Sequence, residues 1–251
     1  MTKNQNPFLT AYNTPHETIP FHLIKTEHFE PAVLVGMEEQ NREIEEIINN
    51  PETPTFTNTI VALERSGKTL DRITTVFGNL LSAETNDEMQ AIAERIMPQL
   101  TEHSNNISLN EKLFSRIKSV YESKEKESLN QEESMLLNKT YDGFIRSGAN
   151  LSDEHKEHLR KLSSELSILT LKFSQNNLKE KNSYELPLAL EQMEGLPDSA
   201  LAAYAQTAKE KGKEDYIVTL EAPSFIPFMK YCKNRELREQ LYRAYNTQCT
   251  H

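Results

Sequence analysis

Leu159-Arg160-Lys161-Leu162-Ser163-Ser164-Glu165-Leu166-Ser167-Ile168-Leu169-Thr170-Leu171-Lys172-Phe173 carries the clearest structural signal in this chain. Leu159, Leu162, Leu166, Leu169 and Phe173 step by 3, 4, 3 and 4 residues, the spacing of a coiled-coil seam. Ser152 is well placed to cap the helix that carries them. The seam is too short for a free coiled coil, so the pattern predicts a helix packed inside a bundle.

Upstream, the same helical period recurs. A helix is predicted from Glu30, with Pro31 suited to the first turn. Leu34, Met37, Ile44 and Ile48 form its apolar face, and Asn49-Asn50-Pro51 ends it. A second starts near Thr57 or Asn58 and runs through Ile60, Leu63, Leu70, Ile73, Phe77 and Leu81, with Gly67 as a soft spot. Thr85 and Glu88 have capping-box spacing before Met89, Ile92, Ile96 and Leu100, and Pro98 should kink that helix. Asn110 caps a helix with Leu113, Phe114, Ile117 and Val120. Another spans about Gln131 to Arg146, and Gly148 suits its C-terminal cap.

The period changes after Lys181. Tyr184, Leu186, Leu188 and Leu190 alternate, with Pro187 restricting the run to a sheet edge. Tyr216-Ile217-Val218-Thr219-Leu220 is a second strand signal. A helix over about Ser199 to Lys211 separates them, and helices starting at Ser224 and Asn234 follow. The expected fold is mainly α: a multi-helix bundle with one small two-stranded β element near 184–190 and 216–220. Residues 1–25, with Pro7, Pro15 and Pro20 among Phe8, Tyr12, Phe21 and Leu23, read as an extended arm packed on the body. Residues 26–182 form the helical bundle, and 183–251 the β element with its helices. The end at His251 reads as a helix continuing into a further region.

Composition limits the function. There are 28 Lys+Arg against 38 Asp+Glu, a formal charge of −10, so a phosphate backbone would be repelled and nucleic acid is not an expected partner. No stretch approaches the roughly 20 apolar residues that cross a bilayer, so no membrane role is expected either. Cys232 and Cys249 make no disulfide framework. With no signal-peptide pattern at the N-terminus, the expected location is cytoplasmic.

No complete catalytic site is legible. His16-Glu17-Thr18-Ile19-Pro20 approaches a zinc-hydrolase motif but has Pro where the second His must stand. His155 and His158, flanked by Glu154 and Glu157, lack enough ligands for a buried metal and read as a solvated first turn. Lys233 beside Cys232 could lower a thiol pKa, yet a lone helical Cys is usually packed. Tyr141 with Phe144, and Tyr242 with Tyr245, read as core. Pro223-Ser224-Phe225-Ile226-Pro227-Phe228 reads as a rigid strand-to-helix corner, or as a hinge or substrate-channel wall in a larger protein.

Several blocks fall in a telling order. Phe29-Glu30-Pro31-Ala32 precedes the run Pro54 to Gly67, PTFTNTIVALERSG. Asn79-Leu80, then Ser108 to Phe114 (SLNEKLF), then Arg146-Ser147-Gly148-Ala149 come next. Pro223-Ser224 and Asn234 to Glu239 (NRELRE) complete the series. From about Asn6 to Asn246 this order resembles the N-terminal third of the thimet-oligopeptidase family of zinc metallopeptidases. Within it the chain looks most like the branch that releases dipeptides from peptide C-termini, with oligopeptidase A-like endopeptidases as the alternative.

The resemblance implies a helical, non-catalytic lobe walling a channel for short peptides. Zinc, held by His-Glu-x-x-His, would belong to a C-terminal catalytic region, which would be this lobe's own partner. No residue here matches that motif, so no catalytic, cofactor or metal residue is assigned in this chain. The competing expectation is a stand-alone helical binding or scaffold protein derived from such a lobe.

Overall fold

In the computed structural model, which describes residues 6–250, the chain divides into two compact units, 1–169 and 170–251. The division falls within a single long helix. Helices α1 (Phe29–Asn49), α2 (Ala62–Arg65), α3 (Lys68–Ala83), α4 (Asp87–Ser108), α5 (Glu111–Glu122), α6 (Gln131–Arg146) and α7 (Asp153–Ser183) come first. Strand β1 (Leu186–Leu188), α8 (Asp198–Glu210), β2 (Tyr216–Val218), α9 (Ala222–Tyr231) and α10 (Arg235–Asn246) follow. The mainly helical fold and the small two-stranded sheet agree with the sequence reading.

The N-terminal arm is not simply extended. Short 3-10 turns at Pro7–Leu9, Pro15–Glu17, Phe21–Leu23 and Thr26–His28 break it up. Its anchor is Phe8, fully buried, whose ring lies 5.0 Å from Phe29, which in turn lies 5.1 Å from Phe77. Burying such a ring contributes roughly 1.5–3 kcal/mol. Polar bonds hold the arm in register: Asn6 Nδ2 donates to the His28 carbonyl (2.8 Å) and Arg72 Nη2 to the Phe8 carbonyl (2.7 Å). Phe21 and Leu23, expected to pack, remain exposed.

In the first unit, α1 buries Phe29, Ala32, Val33, Ile44 and Ile47. The predicted face is therefore rotated, and Leu34 points outward. Gly36 explains the rotation, because it turns toward α3: a Cβ there would lie 3.0 Å from the Leu70 Cα. The helix expected from Thr57 to Leu81 is two pieces. A π-helical turn, Phe56–Val61, leads into α2, which stops at Ser66. Gly67 then takes a left-handed conformation (φ 71°) and α3 restarts. Thr55, rather than Thr57 or Asn58, caps the first piece, accepting from the Asn58 N–H.

Caps decide the other boundaries. Asn86 caps α4 by accepting from the Met89 N–H, replacing the expected Thr85–Glu88 box. Asn86 sits in the extended Ncap conformation, and its side-chain oxygen reaches the N–H of N3 directly. Asn110 and Asn234 cap α5 and α10 as expected. Gly148 (φ 92°) ends α6 in a Schellman arrangement, with Ala149 N–H donating to Phe144 O and Gly148 N–H to Ile145 O.

In the second unit, β1 and β2 pair antiparallel with Leu186 opposite Val218 and Leu188 opposite Tyr216. Both strands are shorter than the alternation suggested. Leu186, Leu188, Tyr204, Val218, Phe228 and Leu241 form a core under them. The helix expected from Ser224 begins two residues earlier, at Ala222, so the corner at Pro223 to Phe228 lies within α9. Pro223 lies in the first turn of α9, where its missing N–H costs nothing, and Pro227 continues within it. Tyr242 and Tyr245, expected in the core, are exposed, with Tyr245 stacked 4.2 Å from Phe225.

Candidate interaction face

The largest departure from the sequence reading lies on α7. Leu162, Leu166, Leu169 and Phe173 are 48 %, 65 %, 54 % and 56 % exposed, so the seam expected inside a bundle faces out. Only Leu159, at its N-terminal end, is drawn partly inward. The cause is local. The first turns of α7 are anchored in the first unit: Lys156 Nζ donates to Glu111 Oε1 at 2.6 Å, and Arg160 Nη1 to Asn106 Oδ1 at 2.6 Å. Leu159 packs beside Gly148, where a Cβ would come within 2.8 Å of Leu159 Cδ2. These anchors fix the rotation of the helix, and the heptad positions after Leu159 are carried to the outer side.

The face has a chemical character. Ile168, 40 % exposed, widens the stripe. A groove of about 570 Å³ runs beside it between α4 and α7, lined by Pro98, Gln99, Glu102, Arg160, Glu165 and Ile168. Glu165 and Lys172 flank the stripe and are exposed. Soluble proteins seldom leave contiguous apolar side chains in water unless they bind something. The spacing that could have marked this face was visible in the sequence, but not its orientation.

The residues weighed for chemistry do not converge. His16 is exposed in a left-handed conformation (φ 58°) on a 3-10 turn. His155 and His158 lie on the exposed first turns of α7, and His155 Nδ1 shares a hydrogen bond with Ser152 Oγ (3.0 Å). Glu157 pairs with Arg160 instead of a metal partner. Cys232 is buried in the second unit, its thiol 3.8 Å from the Gln192 carbonyl. Lys233 is turned to Glu194 (2.7 Å), which raises the lysine pKa and lowers that of the glutamate.

The sequence reading missed a polar contact in the first unit. His103 is buried on α4, its Nε2 2.7 Å from Gln40 Oε1 on α1, and burial lowers its pKa. Gln40 lies against the Gly67 backbone, whose N–H donates to Glu43 Oε2 at 2.7 Å. In the second unit, burial pushes the Tyr204 hydroxyl up to about 12, and it donates to the Ser224 carbonyl. A zinc site does not fit these residues. The imidazoles of His155, His103 and His28 are committed to Ser152, Gln40 and the Lys25 N–H. No group of three His, Cys, Asp or Glu side chains able to hold a metal comes together among the described residues.

No helix of the described residues is long and apolar enough to cross a membrane. No family model matches the chain. Among known proteins, it is 34 % identical over 241 residues to the dipeptidyl carboxypeptidase of Escherichia coli (strain K12), covering 95 % of this chain and 35 % of that enzyme. It is 32 % identical over 246 residues to oligopeptidase A of Haemophilus influenzae, covering 98 % and 35 %. It is also 32 % identical over 255 residues to organellar oligopeptidase A of Arabidopsis thaliana, covering 97 % and 31 %. The chain thus spans about a third of the length of the curated relatives it matches, and the match lies in their N-terminal region.

Proposed function

The chain belongs to the thimet-oligopeptidase family, matching its N-terminal region, and from that premise we propose that it forms the non-catalytic lobe of a zinc-dependent peptidyl-dipeptidase. The observation that carries this is the 34 % identity to a dipeptidyl carboxypeptidase across 95 % of the chain. In this reading the lobe walls a channel that admits short peptides, and a C-terminal catalytic region is its partner. Zinc, held by that region, would polarise the scissile carbonyl and activate water. This chain's residues supply shape: the Phe8–Phe29–Phe77 core and the caps of α4 to α6 make a rigid helical wall. The same reading places the protein in the cytoplasm.

A chimera tests it. This chain replaces the matching N-terminal segment of the Escherichia coli enzyme, and products from an unblocked peptide are identified by mass. Sequential loss of C-terminal dipeptides is expected. Internal cleavage would instead favour an oligopeptidase A-like role, which the 32 % identity to those enzymes supports. A folded, zinc-loaded chimera that cleaves nothing would refute the lobe assignment.

A further inference from the structure

We propose that Tyr121 and Tyr141 form a modification site: a one-electron oxidant takes an electron from each phenol, and the two rings join as a dityrosine cross-link between α5 and α6. The proposal is independent of the peptidase reading and lies wholly within the first unit. It starts from a ring contact. Tyr121, in the last turn of α5, and Tyr141, on α6, stack with centroids 3.9 Å apart and planes within 7° of parallel. Aromatic pairs usually stand about 4.5–7 Å apart, so these faces are pressed together. Of the nine tyrosines, these are the only two among the described residues whose rings meet each other. The other tyrosine ring contacts are with phenylalanine: Phe114–Tyr141, Tyr204–Phe228 and Phe225–Tyr245.

The chain's own residues hold the pair. One face of Tyr121 lies on Tyr141, so the Lys126 ammonium, 3.6 Å over the centre of the Tyr121 ring, occupies the other. Phe114, 5.8 Å from Tyr141 and 6.3 Å from Phe144, extends the stack. Both tyrosines pack against the core that contains Leu113, Ile117, Val120 and Leu137. The chemistry needs only the two rings and an oxidant that accepts single electrons. Each tyrosine gives one electron to the oxidant and its phenolic proton to water. The resulting radical is shared between the oxygen and the ring carbons ortho to it. One such carbon from each ring forms the new C–C bond. The hydrogens on those carbons then move to the oxygens as the rings regain aromaticity, so the chain loses two hydrogens in all. Radicals free in solution must first meet, whereas these form in contact, which turns a bimolecular step into an intramolecular one.

The test exposes the purified 251-residue chain, at low micromolar concentration, to a photo-oxidised tris-bipyridyl ruthenium complex with persulfate as the final electron acceptor. A monomer lighter by two hydrogens is expected, with dityrosine fluorescence and a digest in which the peptides carrying Tyr121 and Tyr141 are joined. Tyr121→Phe and Tyr141→Phe keep a ring in the stack but remove a phenol. Each should lower the yield of intramolecular dityrosine by at least about tenfold, with helix content by circular dichroism unchanged. The second variant serves if the first misfolds. A monomer that keeps its hydrogens or only gains oxygen overturns the proposal. So do cross-links that map to other tyrosines, products joined only between chains, or a yield that survives both substitutions.

Discussion

Helices α3 and α7 carry nearly the same message and meet opposite fates. In α3, Leu70, Ile73 and Phe77 keep a three-to-four-residue spacing and are 7 %, 0 % and 1 % exposed. In α7, Leu162, Leu166, Leu169 and Phe173 keep a more regular spacing and stay in water. What differs is the surroundings. Gly36 lets the α1 backbone close on Leu70, and the rings of Phe8 and Phe29 fill the space beside Phe77. Beyond its anchored first turns, α7 has no comparable cover within the first unit. A periodic stripe specifies that a face exists; whether it is core or interface depends on what else is near.

The comparison is broken most sharply by truncation. Phe77→Ala should cost about 3–5 kcal/mol in urea unfolding, whereas Leu166→Ala should stay within about 0.5 kcal/mol. Equal losses at both positions would mean that the α7 stripe is covered after all. Next in size is Gly67→Ala, which meets both a left-handed backbone and the Gln40 side chain, with Cβ only 2.3 Å from Nε2. A loss of roughly 1–3 kcal/mol is expected. Asn110→Ala removes the acceptor for the Leu113 N–H and should cost about 1 kcal/mol, with Asn110→Asp retaining most of the stability.

The smallest effect is a pH dependence. Burial lowers the His103 pKa, so the folded state prefers the neutral ring. A depressed histidine leaves stability intact above the unfolded pKa, about 6.5, and erodes it as pH falls through that value toward the folded pKa. Thermal unfolding should show this decline beginning just below neutral pH, and His103→Gln should flatten it. An unchanged profile in that variant would show that another group is responsible.

Much of the fold was legible because helix ends are set by short-range chemistry. Asn110, Asn234 and Gly148 each act within a few residues of their own position, so their roles follow from local sequence. Where two local signals competed, the reading failed. Thr85 and Asn86 are adjacent cap candidates, and backbone conformation selects Asn86. Gly67 weakens a helix on paper, but its left-handed conformation, with Glu43 bonded to its N–H, makes it a break. The Gln40–His103 contact joins residues 63 positions apart and left no local trace.

For this protein the sequence alone determined the helical class, the strand pair, most caps and the family resemblance. All of these rest on side-chain period, on hydrogen bonds a few residues apart, or on the order of motifs along the chain. Only tertiary structure decided that the α1 face turns toward Gly36 and that the α7 seam looks outward. Those outcomes depend on how each helix is rotated about its own axis. That rotation is set by long-range anchors, Lys156 on Glu111 and Leu159 beside Gly148 among them, which periodicity along one helix does not encode.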